Sequence, residues 1–284
     1  MGNLGQTAIA DAFAALVGPQ VADEDIDLAR AALTIARSEY PELEIEAYVA
    51  RIDELARMAE ARVSDVGDAG QTITALNRTL FDEAGLRGNR EDYYDPRNSF
   101  LNDVFDRGLG IPITLAVIYM EVARRLGFPL FGVGMPGHFL LKHYDIDGRE
   151  TLVDCFNGGD IVSPQDCQRR LDEIYSGQMT LRPEFLFAVS RRQILTRILN
   201  NLKTVHLSAR NFRKALPLVD LVLVIYPRSP EDVKQRALLR YSLGQTSGAA
   251  EDLEQYLKMS PDASDADEIR QTALTMRRML ALMN

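Results

Sequence analysis

Two side chains in the middle of the chain have the types needed for acyl chemistry. His138 follows Pro136-Gly137, and Asp154 closes the apolar run Thr151-Leu-Val. An imidazole whose tautomer is fixed by a carboxylate serves as a general base, and it becomes productive beside a nucleophile. The most easily formed nucleophile is a thiolate at a helix N-terminus. The segment that would present such a helix runs from Gly110-Ile-Pro112-Ile-Thr114 to Gly127, and its opening turn holds no thiol. Thr114 offers a hydroxyl there, but an alcohol needs far stronger activation and in a first helical turn more often caps or packs. Cys155 adjoins Asp154, yet strand alternation sends it to the opposite face.

The elements that must position these groups follow from pattern. Ile113, Ala116, Val117, Met120 and Ala123 recur at helical spacing, with Glu121, Arg124 and Arg125 as a wetter flank. Pro112 suits a first helical position, and Gly127 followed by Pro129 is a stop signal. Leu130 to Phe156 reads as two strands joined at Asp145-Ile-Asp-Gly-Arg149. A three-residue loop with Gly148 left-handed puts His138 and Asp154 on one sheet face, opposite or diagonal. A two-residue turn at Asp147-Gly148 separates them. Before the helix, Gly88 to Val104 crowds Gly, Asn, Asp and Pro around two tyrosines, a composition for an ordered turn. If a helix begins near Pro96, Asn98 and Asn102 share a face, where their amides bond loop backbone or a ligand. Asn98, Asn102, Thr114 and Asn157 are therefore the ligand-contacting residues expected beside the His138–Asp154 pair. The free N–H groups of the helix start would suit a carboxylate or peptide carbonyl, unless Asp103 or Asp106 caps them.

With 284 residues, 46% of them hydrophobic, the chain can bury substantial cores. A net charge of −9 opposes general attraction to nucleic acid or anionic membranes. The N-terminus lacks a basic leader, and its apolar run is interrupted by Asp11, so a cytoplasmic location without a membrane span is expected. Cys155 and Cys167 fit neither a zinc ribbon nor a disulfide framework and should be reduced and unpaired, with Cys155 buried in the core. Metal and cofactor sites are not expected: His138 and His143 face opposite ways, His206 is remote, and Gly132, Gly134 and Gly137 precede a strand where a nucleotide loop precedes a helix.

Three parts are expected: a helical segment over 1–87 packed on the core, a mixed core over 88–180, and helices over 181–284. In the first, Leu28, Ala32, Ile35 and Ala36 form one stripe, Ile45 to Ala59 a second, and Leu76, Leu80 and Phe81 open a third that stops near Gly85. In the last, sliding the chain on itself by 34 residues sets Leu207 on Tyr241, Ala215 on Ala249, Val219 on Leu253, Val222 on Tyr256 and Pro227 on Pro261. Thirty-four is the period of tetratricopeptide repeats, helix pairs with a concave face.

The order helix, strand with His, strand with Asp resembles the transglutaminase-like cysteine peptidase superfamily. Gly88-Asn-Arg-Glu-Asp-Tyr-Tyr-Asp-Pro-Arg-Asn-Ser-Phe-Leu-Asn-Asp-Val104, the Gly-Ile-Pro-Ile-Thr-Leu helix start, Pro-Gly-His-Phe and Phe-Asn-Gly-Gly are similar to the bacterial transglutaminase-like proteins with tetratricopeptide repeats known as regulators of sirC expression. The resemblance covers nearly the whole chain. It implies an α+β fold: a helical N-terminal layer, a core with a buried helix and a small antiparallel sheet, and C-terminal helical repeats. In the superfamily the nucleophilic Cys stands about 15 residues before the helix-terminating Gly, which here falls on Pro112. The resemblance therefore implies a regulatory or adaptor protein with an inactive core, a retained or vestigial His138–Asp154 pair and a repeat groove for a protein or peptide partner, without direct nucleic-acid binding. The alternative is an acyl transferase or amidohydrolase acting on peptide amides through His138, Asp154 and a non-standard nucleophile, such as an activated water.

Overall fold

The structure, a computed structural model, describes residues 2–283. Its contacts group residues 22–198 into one compact unit and the residues before and after them into a second. α1 (Gly2–Val17) belongs to the second unit.

The first unit includes α2 (Leu28–Ala36), whose N-cap Asp27 accepts from Arg30 N at 2.9 Å. α3 (Ile45–Glu60) and α4 (Ala69–Asn77) follow; α4 widens into a π-helical turn over Arg78–Glu83 and stops before Gly85, which is left-handed. Two short strands, β1 (Arg87–Gly88) and β2 (Leu109–Gly110), pair in parallel and bracket the Asn-rich turn and α5 (Leu101–Arg107). α6 (Pro112–Arg125) is buried at every position from Pro112 to Ala123. Each of its Ile, Leu and Val side chains gains roughly 1.5–3 kcal/mol from that burial. Glu121 is among the buried residues, against the expectation of a wet flank. Arg124 at 3.0 Å and Arg125 at 2.9 Å neutralise it, which is how a carboxylate survives inside.

The sheet lies beyond α6 in sequence: β3 (Phe131–Val133), β4 (Leu140–Tyr144), β5 (Glu150–Asp154), β6 (Asp160–Val162), then α7 (Pro164–Tyr175) and β7 (Ala188–Val189). The order is β6-β5-β4-β3-β7, antiparallel throughout. Leu171 and Cys167 of α7 pack with Val133, Leu140 and Leu152 of the sheet.

α8 (Arg191–Ser208) is divided between the units at Ile198–Leu199. In the second unit, α9 (Phe212–Ile225), α10 (Pro230–Ser242), α11 (Thr246–Met259) and α12 (Ala266–Met283) follow as helical repeats. Four of the five pairs aligned by the 34-residue shift occupy matching places: Ala215 and Ala249, Val219 and Leu253, and Val222 and Tyr256 are buried, and Pro227 and Pro261 each follow a helix end, whereas Leu207 packs on the core and Tyr241 is exposed. The contacts cut the chain at 21/22 and 198/199, where the sequence puts boundaries at 87 and 180. Two causes are visible: α1 packs against α9, and residues 181–190 supply β7, the fifth strand of the core sheet. Among the described residues, no helix is long and apolar enough to cross a membrane.

Candidate functional site

His138 occupies the turn between β3 and β4. Its N–H reaches Met135 O at 3.1 Å, and left-handed Gly137 makes the tight return possible. Arg197 holds the same turn from outside by donating to His138 O at 2.8 Å and to Met135 O at 3.3 Å.

Asp154 ends β5. Pairing of Leu141 with Val153 and Lys142 with Leu152, extended by one residue, sets Asp154 across from Leu140 and one diagonal step from His138. The hairpin decides this parity. Asp145 N bonds Arg149 O at 3.0 Å and Gly148 is left-handed, so the chain adopts the three-residue loop of the two considered.

The result is a buried pair, His138 Nε2 to Asp154 Oδ2 at 2.9 Å. An ionised carboxylate only accepts, so Nε2 carries the proton and Nδ1 is the ring nitrogen left for other work. Asp154 accepts three further hydrogen bonds, from Asn157 Nδ2 at 2.8 Å on Oδ2 and from the N–H groups of Phe156 at 3.1 Å and Asn157 at 3.3 Å on Oδ1, and its Oδ2 is ion-paired with Arg170 at 2.8 Å. Burial alone would push this carboxyl up. The hydrogen bond and charge of His138, then Arg170 and Asn157, outweigh it and hold Asp154 below the ordinary carboxylate range.

The other expected residues fall in different roles. Thr114 Oγ1 accepts from Ile111 N at 3.1 Å and donates to Asn98 O at 2.7 Å, so its hydroxyl fastens the Asn-rich turn to the start of α6. Asp103 and Asp106 do not cap α6: they accept from the hydroxyls of Tyr40 and Tyr48. Asn98 donates to Asp92 O at 2.7 Å and accepts from Asn89 at 3.0 Å, which makes it a loop staple. It does not share a helix face with Asn102, because the 3-10 turn over Pro96–Asn98 ends before α5 begins at Leu101. Asn102 is buried with its Oδ1 unpaired. Asn157 is bound to Asp154 and to Arg90.

Neither thiol is poised. Cys155 is fully buried, and burial together with the Asp154 charge pushes its pKa far up; burial also raises that of Cys167. His143 is stacked on Phe128 at 4.1 Å, with Nδ1 at 2.9 Å from Pro129 O, away from His138. Among the described residues no cluster of His, Cys, Asp or Glu is arranged for a metal ion.

Sequence reasoning missed Arg170, Arg90 and Arg197. Ser163-Pro-Gln-Asp166 announces α7 through its cap, with Ser163 Oγ and Asp166 bonded reciprocally. Nothing local says that the turn after that cap meets Asp154.

The transglutaminase-like superfamily matches residues 46–200, and the tetratricopeptide repeat matches residues 202–273. A UPF0162 protein of Xylella fastidiosa is 38% identical over 253 residues, which are 88% of this chain and 90% of that protein. Its counterpart in Vibrio cholerae is 30% identical over 251 residues, 87% of this chain and 93% of its own length. Homo sapiens F-box only protein 21 is 28% identical over 184 residues, 61% of this chain and 28% of that protein.

Proposed function

We propose that this chain, which belongs to the transglutaminase-like superfamily and to the UPF0162 group of bacterial proteins, is a cytoplasmic regulatory or adaptor protein. In this reading the core unit holds a peptide ligand without turning it over, and the helical repeats bind a protein partner. The observation that carries the reading is the chemistry at the start of α6. Pro112 fills the first helical position, and the hydroxyl of the same opening turn, Thr114, is committed to Ile111 N and Asn98 O. An imidazole–carboxylate pair whose fold carries no thiol at the start of α6 orients a ligand by hydrogen bonding. The repeat unit adds a packed core of two helix pairs and a closing helix, the construction that presents a binding groove in such arrays.

A hydrolytic reading also has one observation in its favour: Nε2 bound to Asp154 leaves His138 Nδ1 free to activate water. The two separate on wild type, His138→Ala and Asp154→Ala compared in partner capture and in an amide-hydrolysis screen. The adaptor reading expects no turnover in any of the three proteins and partner capture that survives His138→Ala. Turnover in wild type that disappears with His138 would refute it.

A further inference from the structure

β6 is the outermost strand on its side of the sheet, so one row of its backbone N–H and C=O groups faces away from β5. Such edges accept an extended chain as an added strand. Ile161, at the middle of β6, is 61% exposed. A cleft of about 470 Å³ lies beside the strand, walled by α7 and by Arg90 and Asn157.

The charges in that cleft are uneven once internal pairs are set aside. Arg170 is engaged by Asp154 and Arg169 by Asp166. Arg90 lies over the Phe156 ring at 5.2 Å and donates to the neutral Asn157 amide, so its charge offsets one of the cleft's carboxylates. Asp160 and Glu173 line the same cleft and have no ion-pair partner among the described residues. Asp160 is moreover the cross-strand partner of Asp154, a position where like charges repel. His138 and Arg170 compensate Asp154 and leave Asp160 uncompensated. A cationic side chain entering the cleft would supply the missing counter-charge, and the net charge of −9 favours a basic partner at longer range.

We infer that the free edge of β6 docks an extended peptide of a partner protein, and that the cleft selects a basic side chain on it through Asp160 and Glu173. The inference rests on the reading that the core binds its ligand without converting it.

The test uses the full chain and three fluorescein-labelled hexapeptides, blocked at the free end: alternating Val and Lys, alternating Val and Glu, and the Val/Lys peptide with alternate amides N-methylated. In fluorescence anisotropy the Lys peptide should bind on the order of tenfold more tightly than the Glu peptide, and N-methylation should abolish binding because it removes the strand's donors. Asp160→Lys with Glu173→Lys, both at exposed positions, should reverse the charge preference while the circular dichroism spectrum stays the same. Equal binding of the Lys and Glu peptides, undiminished binding of the N-methylated one, or no saturable binding overturns the inference. So does a concentration-dependent dimer in sedimentation that the Lys peptide fails to dissociate, since a second copy would then occupy the edge. Mass spectrometry of the bound peptide separates the two levels. Cleavage refutes the non-catalytic reading and leaves the docking site standing, whereas absent binding with intact partner capture refutes the docking site alone.

Discussion

Removing the Asp154 carboxylate should be among the most damaging single changes in the core, and the structure gives the size. The side chain is fully buried, accepts from four donors, His138 Nε2, Asn157 Nδ2 and the N–H groups of Phe156 and Asn157, and is ion-paired with Arg170. Asp154→Ala leaves a guanidinium and an imidazole without their buried partner, which costs about 3–5 kcal/mol. It also removes the cap of the short turn Cys155–Asn157, about 1 kcal/mol more. That is a large share of the 5–15 kcal/mol typical of a domain. Asp154→Asn keeps an oxygen for the two backbone donors and loses the charge, so about 1.5–3 kcal/mol is expected. The pH dependence follows from the depressed pKa. Because the folded value lies below the ordinary 3.8, the carboxylate stabilises the fold fully above that pH, and its contribution is lost as the pH falls through the folded value. The gap between wild type and Asp154→Asn should thus be complete at pH 7, begin to narrow below about pH 4 and close once the pH has fallen through the folded value. The chain contains no Trp, so urea unfolding is followed by far-ultraviolet circular dichroism. An Asp154→Ala protein within 1 kcal/mol of wild type at pH 7, or a gap that persists undiminished at pH 3, would refute the reasoning.

Thr114→Val should cost about 1–3 kcal/mol for each of the two buried groups it leaves unpaired, Ile111 N and Asn98 O, while Thr114→Ser recovers most of the loss and partner capture is unchanged in both. Gly159→Ala should cost about 2–4 kcal/mol in urea unfolding, because Gly159 is left-handed and its Cβ would run into the Asn77 amide that bonds both Gly159 O and Tyr119. Gly148→Ala, equally left-handed with open space around it, should cost only about 1–2 kcal/mol. Pro112→Cys should yield a thiol that iodoacetamide alkylates faster than Cys155 or Cys167, with the advantage reduced by His138→Ala, as mapped by mass spectrometry.

The parts legible in the sequence are those written by local chemistry. Pro112 and Gly127 bracket α6, Gly148 sets the parity that brings His138 and Asp154 to one face, and the 34-residue shift superposes buried positions of the repeats. Each is decided within a few residues by a φ angle, a missing N–H or a side-chain period. What stayed hidden depends on which distant partner a side chain meets. Glu121 carries the signature of a solvent-facing residue; its ion pairs with Arg124 and Arg125 are local, whereas the packing of α2 and α3 against α6 is decided far along the chain. α1 is apolar enough to cover the core or the repeats, and no local feature chooses between them; its partner is α9. Arg170 is one of many arginines until α7 folds over the sheet and sets it 2.8 Å from Asp154. The same logic bears on function. The absent thiol is a local fact, visible at Pro112 from the letters alone, whereas the commitment of the Thr114 hydroxyl to Asn98 O joins residues sixteen apart and needed coordinates. Together they are the support for the proposed ligand-holding core. A hydroxyl that already donates to a carbonyl and accepts from an amide can become a nucleophile only by breaking the bond that ties the Asn-rich turn to the start of α6.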